Sequence, residues 1–451
     1  MRTLLKSPDN IFKYLTAAVI MVIILYPKFP FIRIPGIQVS VRLEDFLMAT
    51  VFGICGIYLL PKLFRIFSLK IEKSILIYSL VGLLSLLSGV LITKSLEPEI
   101  GLLHFLRRIE YFSGFFLGVL AIRNRENLSF YIKVLLLTLF IVFVYALGQR
   151  FLYWPVIVTQ NVEYAKGIAL RWLPGSHINS TFAGHYDLAT FLVFVLPIFI
   201  ALFYTLKQKL WKILIAGAIF SGLWLLLASV SRISIVSYLV GVSVALLILR
   251  KYKEVLVVTI ISLIFFSFSP DLRARYLRIF DEVKKRTGDA SWSVYAQEEV
   301  PQRRTDFVTP TPTPPPVIED RSSSIRINVE WPRAVRSLAK NPLLGTGYSS
   351  ITLATDNDYL RALGETGILG FAAFSLIFLR IGLLFLANVK SALEKLSEIQ
   401  RPFVAGLLGG SVGVLINAVF IDVFEASKFA IIFWLLIGVL VGLVRNEKYI
   451  E

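Results

Sequence analysis

The sequence predicts an all-α polytopic membrane protein of about twelve transmembrane helices with one long outward-facing loop. Three observations predict it. Apolar runs of membrane length recur along a chain that is 56% hydrophobic and only 17% charged, with a mean hydropathy of +0.73. Lys and Arg are shared unequally between alternate connections. One long polar interval, residues 270–358, breaks the apolar pattern.

Composition also excludes some classes. The formal net charge of +17 over 451 residues would suit nucleic acid. A polytopic chain with basic cytoplasmic loops shows the same excess, and no nucleic-acid partner is expected. The single cysteine, Cys55, rules out an intrachain disulfide and a cysteine-based metal site.

The apolar runs fall at 11–26, 45–61, 74–93, 102–122, 131–149, 188–206, 211–228, 233–249, 254–269, 364–387, 403–421 and 427–444. Each is near the ~20 residues a bilayer requires. Backbone groups in lipid must be satisfied within the segment, so each run is predicted helical. The first run is followed by Pro-rich polar sequence without a small-residue cleavage site, and is expected to be retained. Residues 1–269 then hold helices one to nine, with an outward loop near 151–187. Residues 359–451 hold the last three.

Orientation follows from charge. With the N-terminus inside, about 21 Lys and Arg lie on inner termini and short loops, among them Lys62, Arg65, Lys207, Lys209, Arg250 and Lys251. About nine lie on the outer connections: Lys28, Arg33, Arg42, Lys94, Arg150, Lys166, Arg171, Arg232 and Lys428. This positive-inside bias predicts that both termini are cytoplasmic and that the 151–187 and 270–358 loops face outward.

The long loop has three parts. Residues 272–286 place Leu272, Tyr276, Ile279 and Val283 on one helical face, with Arg273, Arg275 and Lys284 beside it, as in a helix lying at a membrane surface. Residues 288–323 mix charge, Ser and Thr with the proline tract at 309–316, and are predicted disordered. Residues 325–340 read as a second helix, stopped by Asn341-Pro342.

Candidate chemistry gathers at outward ends. The stretch RWLPGSHINSTFAGHYDLATF (171–191) holds Arg171, His177, His185 and Asp187. The bland reading is a polar loop with interfacial aromatics. Ionisable residues at the mouth of a span are functional candidates. His177, His185 and Asp187 are metal-ligand types, but their spacing fits no familiar zinc pattern, and no metal is expected. Arg232 sits in ASVSRIS (228–234), between apolar runs too close for a real loop. It is either a snorkelling helix-end arginine or a phosphate-gripping one. Arg107 or Arg108, Arg326, Arg333 and Arg336 add positive charge to the same outer side. The combination points to an anionic ligand there, such as a lipid-linked pyrophosphate, whose departing charge arginines can neutralise.

Four stretches in order carry a resemblance: ASVSRIS, then R-x-x-V-E-W (326–331), NPLLGTGY (341–348) and DNDYLRALGETGILG (356–370). With STFAGHYDLATFLVFVLP (180–197) before them, they resemble the core of the O-antigen ligase and polymerase family. The resemblance covers about 171–370 and implies a fold similar to the GT-C-type membrane glycosyltransferases. It implies a bacterial enzyme that moves a glycan from an undecaprenyl-pyrophosphate carrier to a glycan or lipid-linked acceptor at the outer face of the cytoplasmic membrane, inverting the anomeric centre without a metal or other cofactor. On that resemblance Arg232 and Arg326 bind the pyrophosphate, and Asn357 and Tyr359 line the acceptor side; Arg171, His185, Asp187 and Arg333, by their place on the outward side, are expected to assist binding. Ligases of the family carry a histidine where this chain has Asp356. A carboxylate raised in pKa by burial can take over as general base; otherwise the change points to a polymerase or another acceptor, or His185 supplies the base from the other loop, and the alternative role for Asp356 is the N-cap of the next helix. The competing function is a polysaccharide or lipid-linked oligosaccharide transporter or flippase. Against it, charges cluster at outward helix ends rather than mid-span, and the long loop after the ninth run breaks any symmetry of two halves.

Overall fold

The structure, a computed structural model, describes residues 8–27, 30–33, 40–157, 169–170, 172, 176–268, 325–351 and 354–445. The surface helix expected at 272–286, the disorder expected at 288–323 and the candidate Arg171 lie outside these residues.

Helices dominate. They are α1 (Pro8–Leu25), α2 (Leu43–Leu59), α3 (Leu63–Ser68), α4 (Lys70–Leu91), α5 (Pro98–Ala121), α6 (Asn127–Phe151) and α7 (His185–Thr205). There follow α8 (Lys209–Ser229), α9 (Arg232–Ile248), α10 (Tyr252–Ser267), α11 (Trp331–Lys340), α12 (Asp358–Lys395), α13 (Gln400–Asn417) and α14 (Ser427–Val444). Two short antiparallel hairpins pair β1 (Pro30–Arg33) with β2 (Ser40–Arg42), and β3 (Val156–Ile157) with β4 (Ala169–Leu170). Each of the twelve apolar runs falls on a helix. Among the described residues, seven helices are long and apolar enough to cross a membrane. The protein is a multi-pass, all-helical membrane protein.

Two helices form its centre. The apolar windows of α7 and α14 are 83% and 89% buried inside the protein, against 17% for the span that starts at Glu44. α14 packs along α5, and α13 is clasped between α7 and α9. Small residues allow this, since in lipid close packing rather than water exclusion drives helix association. A Cβ on Gly438 would stand 2.1 Å from the Phe115 carbonyl oxygen, and one on Gly410 would stand 2.3 Å from that of Phe194. The outer helices keep apolar side chains exposed, among them Leu256, Ile260, Ile261 and Leu263 of α10. That is the surface a lipid-facing helix presents.

The bundle has two ends of different chemistry. At one, Arg445 grips the buried Glu72 through both oxygens, with Nη2–Oε2 at 2.8 Å. Arg123 reaches Tyr58 and Asp9 at the same end. The starts of α7, α9 and α12 meet at the other.

Candidate functional site

The turn before α12 is clasped by main-chain bonds to carboxylates. Asp422, between α13 and α14, accepts from the Thr355 N–H at 2.8 Å and the Asn357 N–H at 2.9 Å. Asp358 returns the contact, accepting from the Val423 and Phe424 N–H groups at 2.7 and 3.2 Å. Asn357 caps the helix: its side-chain oxygen accepts from the Tyr359 and Leu360 N–H groups at 3.1 and 3.0 Å. The capping role weighed for Asp356 thus belongs to its neighbour. Asp356 has φ +48°, a left-handed conformation that Asp tolerates better than most residues, and its side chain is left for another task.

That task is Arg326. Its Nε donates to Asp356 Oδ2 at 3.0 Å, and Nη2 stands 2.8 Å from the same oxygen. Arg326 opens a π-helical turn, Arg326–Glu330, which leads directly into α11. Such turns are rare and recur at functional sites. Residues 325–340 are therefore helical as predicted, ending before Asn341-Pro342. Burial raises the Asp356 carboxyl above the ordinary range, with Arg326 opposing the shift.

The approach to α7 reaches the same place. Tyr186 lies close enough to Arg326 to favour its charged form. The ring of its neighbour His185 stacks on His177 with centroids 4.2 Å apart. Asp187 lies in the first turn of α7. The Ile178 N–H, next to His177, donates to the Ala228 carbonyl at 3.2 Å, which ties this loop to the turn that precedes Arg232. Arg232 is the first residue of α9. Two residues on, Ser234 donates to Asn417 Oδ1 at 3.1 Å, and Asn417 donates to Thr190 on α7 at 2.7 Å. These bonds lock the starts of α7 and α9 to the end of α13.

The structure therefore gathers His185, Asp187, Arg232, Arg326, Asp356, Asn357 and Tyr359 at one end of the bundle. Asn357 is buried as the cap, and the Tyr359 hydroxyl donates to the Leu415 carbonyl at 2.6 Å. Arg333 lies one turn beyond Glu330 on α11, its Nη1 buried with no hydrogen-bond partner among the described residues. Among the described residues, no three His, Cys, Asp or Glu side chains group as a metal site.

Sequence reasoning missed three participants. Arg361 stands 3.2 Å from Asp422 and 3.4 Å from Glu365. It connects the Asp356 turn to a small neighbouring pocket that Arg108, Glu365, Tyr348 and Glu425 line. Asp422 sits in a short connection that looks like any interhelical loop. Glu330 was in view within R-x-x-V-E-W but has no neighbour in sequence to mark it.

Residues 217–375 match the model of the O-antigen ligase family. The match includes Arg232, Arg326, Asp356, Asn357 and Tyr359 and stops short of His185 and Asp187. No curated protein matches the chain.

Proposed function

We propose that this chain, whose residues 217–375 match the O-antigen ligase family model, polymerises or ligates glycan from an undecaprenyl-pyrophosphate donor onto an acceptor sugar at the outer face of the bacterial cytoplasmic membrane. The observation that carries the reading is the Arg326–Asp356 pair, held at the same end of the bundle as Arg232 and the His185 loop. The acceptor hydroxyl attacks the anomeric carbon from the face opposite the phosphate. The bond from that carbon to the phosphate oxygen breaks, and its electron pair leaves with the lipid pyrophosphate. Arg232 and Arg326 bind this developing charge, the task a metal performs in other phosphate chemistry, so the reading needs no metal. Asp356 stands where the family carries a histidine, and its bond to Arg326 also fits it to orient that arginine. His185, Asp187 and Arg333 border the donor, while Asn357 and Tyr359 shape the acceptor side through the turn they stabilise. Arg171 would join from the loop before α7.

Lysine substitutions test the phosphate role. Lys keeps the charge but loses the planar pair of donors that matches a phosphate. Arg326→Lys and Arg232→Lys, inserted at normal levels, should each lose on the order of 10²-fold in turnover of a lipid-linked donor. A fully active Lys variant would remove that arginine from the phosphate site, since an arginine that only snorkels is replaced by Lys without loss.

A further inference from the structure

Glu330 shares a helical face with Arg326, four residues earlier in the π-helical turn. Its Oε2 is buried with no hydrogen-bond partner among the described residues, as are Trp331 Nε1 and Arg333 Nη1 on the same stretch of helix. A buried polar atom without a partner is costly, and three together on one short stretch mark a surface built for a polar ligand. The charges of Asp356, from the turn before α12, and of Asp422, from the α13–α14 connection, both act on the Glu330 carboxylate. Arg326 and Arg333 of its own helix oppose them with positive charge. Tyr186, beside the stacked His177 and His185, approaches the same helix through Arg326. The two carboxylates are not equivalent. Asp356 is drawn onto Arg326 through two guanidinium nitrogens, whereas Glu330 keeps an oxygen uncommitted.

We propose that Glu330 is the residue that takes the proton from the acceptor hydroxyl, with Asp356 holding Arg326 in position; this rests on the transferase reading above. The acceptor O–H donates to Glu330 Oε2, and the acceptor oxygen bonds to the anomeric carbon as the carbon–phosphate-oxygen bond breaks. The electron pair leaves on the lipid pyrophosphate, and the proton stays on Glu330 until it passes to water after product release. Burial, reinforced by repulsion from Asp356, pushes the Glu330 carboxyl up to about 7, where a general base at neutral pH is most effective. Only the ionised form accepts a proton, so transfer should rise as pH increases through that value.

The test compares wild type, Glu330→Gln, Glu330→Asp and Asp356→Asn in detergent with an undecaprenyl-pyrophosphate glycan, following transfer rate against pH and donor binding separately. Each protein is also offered azide, a nucleophile with no proton to lose. Glu330→Gln should bind donor normally and lose on the order of 10²-fold or more of sugar transfer, while still forming glycosyl azide. Glu330→Asp should keep part of the activity, with the acid limb of its pH profile displaced. Normal sugar transfer and an unchanged profile in Glu330→Gln, or azide rescue confined to Asp356→Asn, would overturn the assignment alone. No transfer by wild type would overturn the transferase reading, and the assignment with it.

Discussion

At the residue scale, the site is made by side chains whose partners come from distant parts of the chain. Arg326, Asp356 and Arg232 stand out in sequence because charged residues beside apolar runs are costly without a purpose. Their grouping is not legible there, because it depends on which helix ends meet. Lys428 shows the limit well. In sequence it is one more outer cation. In the structure it is 1% exposed, and its ammonium donates to the Tyr26 and Thr181 carbonyls at 2.6 and 2.7 Å and to that of Ile24 at 3.3 Å. It therefore pins the end of α1 and the loop carrying His177 to the start of α14. Main-chain carbonyls carry no residue signature, so no pattern could have announced this. Lys428→Met matches the stem but removes this donor from the Tyr26 and Thr181 carbonyls, each at a cost of ~1–3 kcal/mol, while the Ile24 carbonyl keeps the Thr181 hydroxyl. The variant should melt well below wild type in a detergent thermal-unfolding assay, and an unchanged midpoint would show that the ammonium does not tie these elements together.

At the element scale, two of the motifs that carry the resemblance turn out to be one structure. NPLLGTGY runs beside the first turns of α12, with the Thr346 and Gly347 N–H groups donating to the Gly364 and Glu365 carbonyls at 3.1 and 2.8 Å. The Ile368 and Leu369 N–H groups return bonds to Pro342 and Leu343 at 2.9 and 3.2 Å. The contact kinks α12 at Gly367, which has φ +67°. A Cβ there would stand 2.3 Å from the Leu343 carbonyl oxygen. Gly367→Ala combines a left-handed strain of ~1 kcal/mol or more with a collision against main chain. It should lower the folded yield on size-exclusion chromatography and reduce transfer, since the kink aims the Asp356 turn. A monodisperse, fully active variant would contradict this. The helices themselves were readable from the length of the apolar runs and the 325–340 segment from its stop signal. The π-helical turn was not, because nothing in R-x-x-V-E-W distinguishes one extra residue per turn from an ordinary helix.

At the scale of the whole molecule, composition and run length were enough to predict a helical membrane bundle, because a bilayer leaves a chain few alternatives. Side of the membrane is a separate matter, and loop charge predicts that the site end faces outward. The single native cysteine is buried, which makes labelling clean. Leu343, 61% exposed at the site end, and Ser397, exposed at the opposite end, are suitable positions. An impermeant maleimide should label Leu343→Cys in cells whose cytoplasmic membrane is intact and leave Ser397→Cys unlabelled; the reverse pattern would invert the topology. The central claim is that this fold transfers glycan covalently. Its most direct test is the purified protein reconstituted in liposomes with an undecaprenyl-pyrophosphate glycan and an acceptor, the products being resolved by mass spectrometry. Free undecaprenyl pyrophosphate is expected together with an acceptor lengthened by the transferred glycan, both lost in Arg326→Ala. Movement of intact donor across the bilayer with no new glycosidic bond would contradict it and leave a transporter in its place.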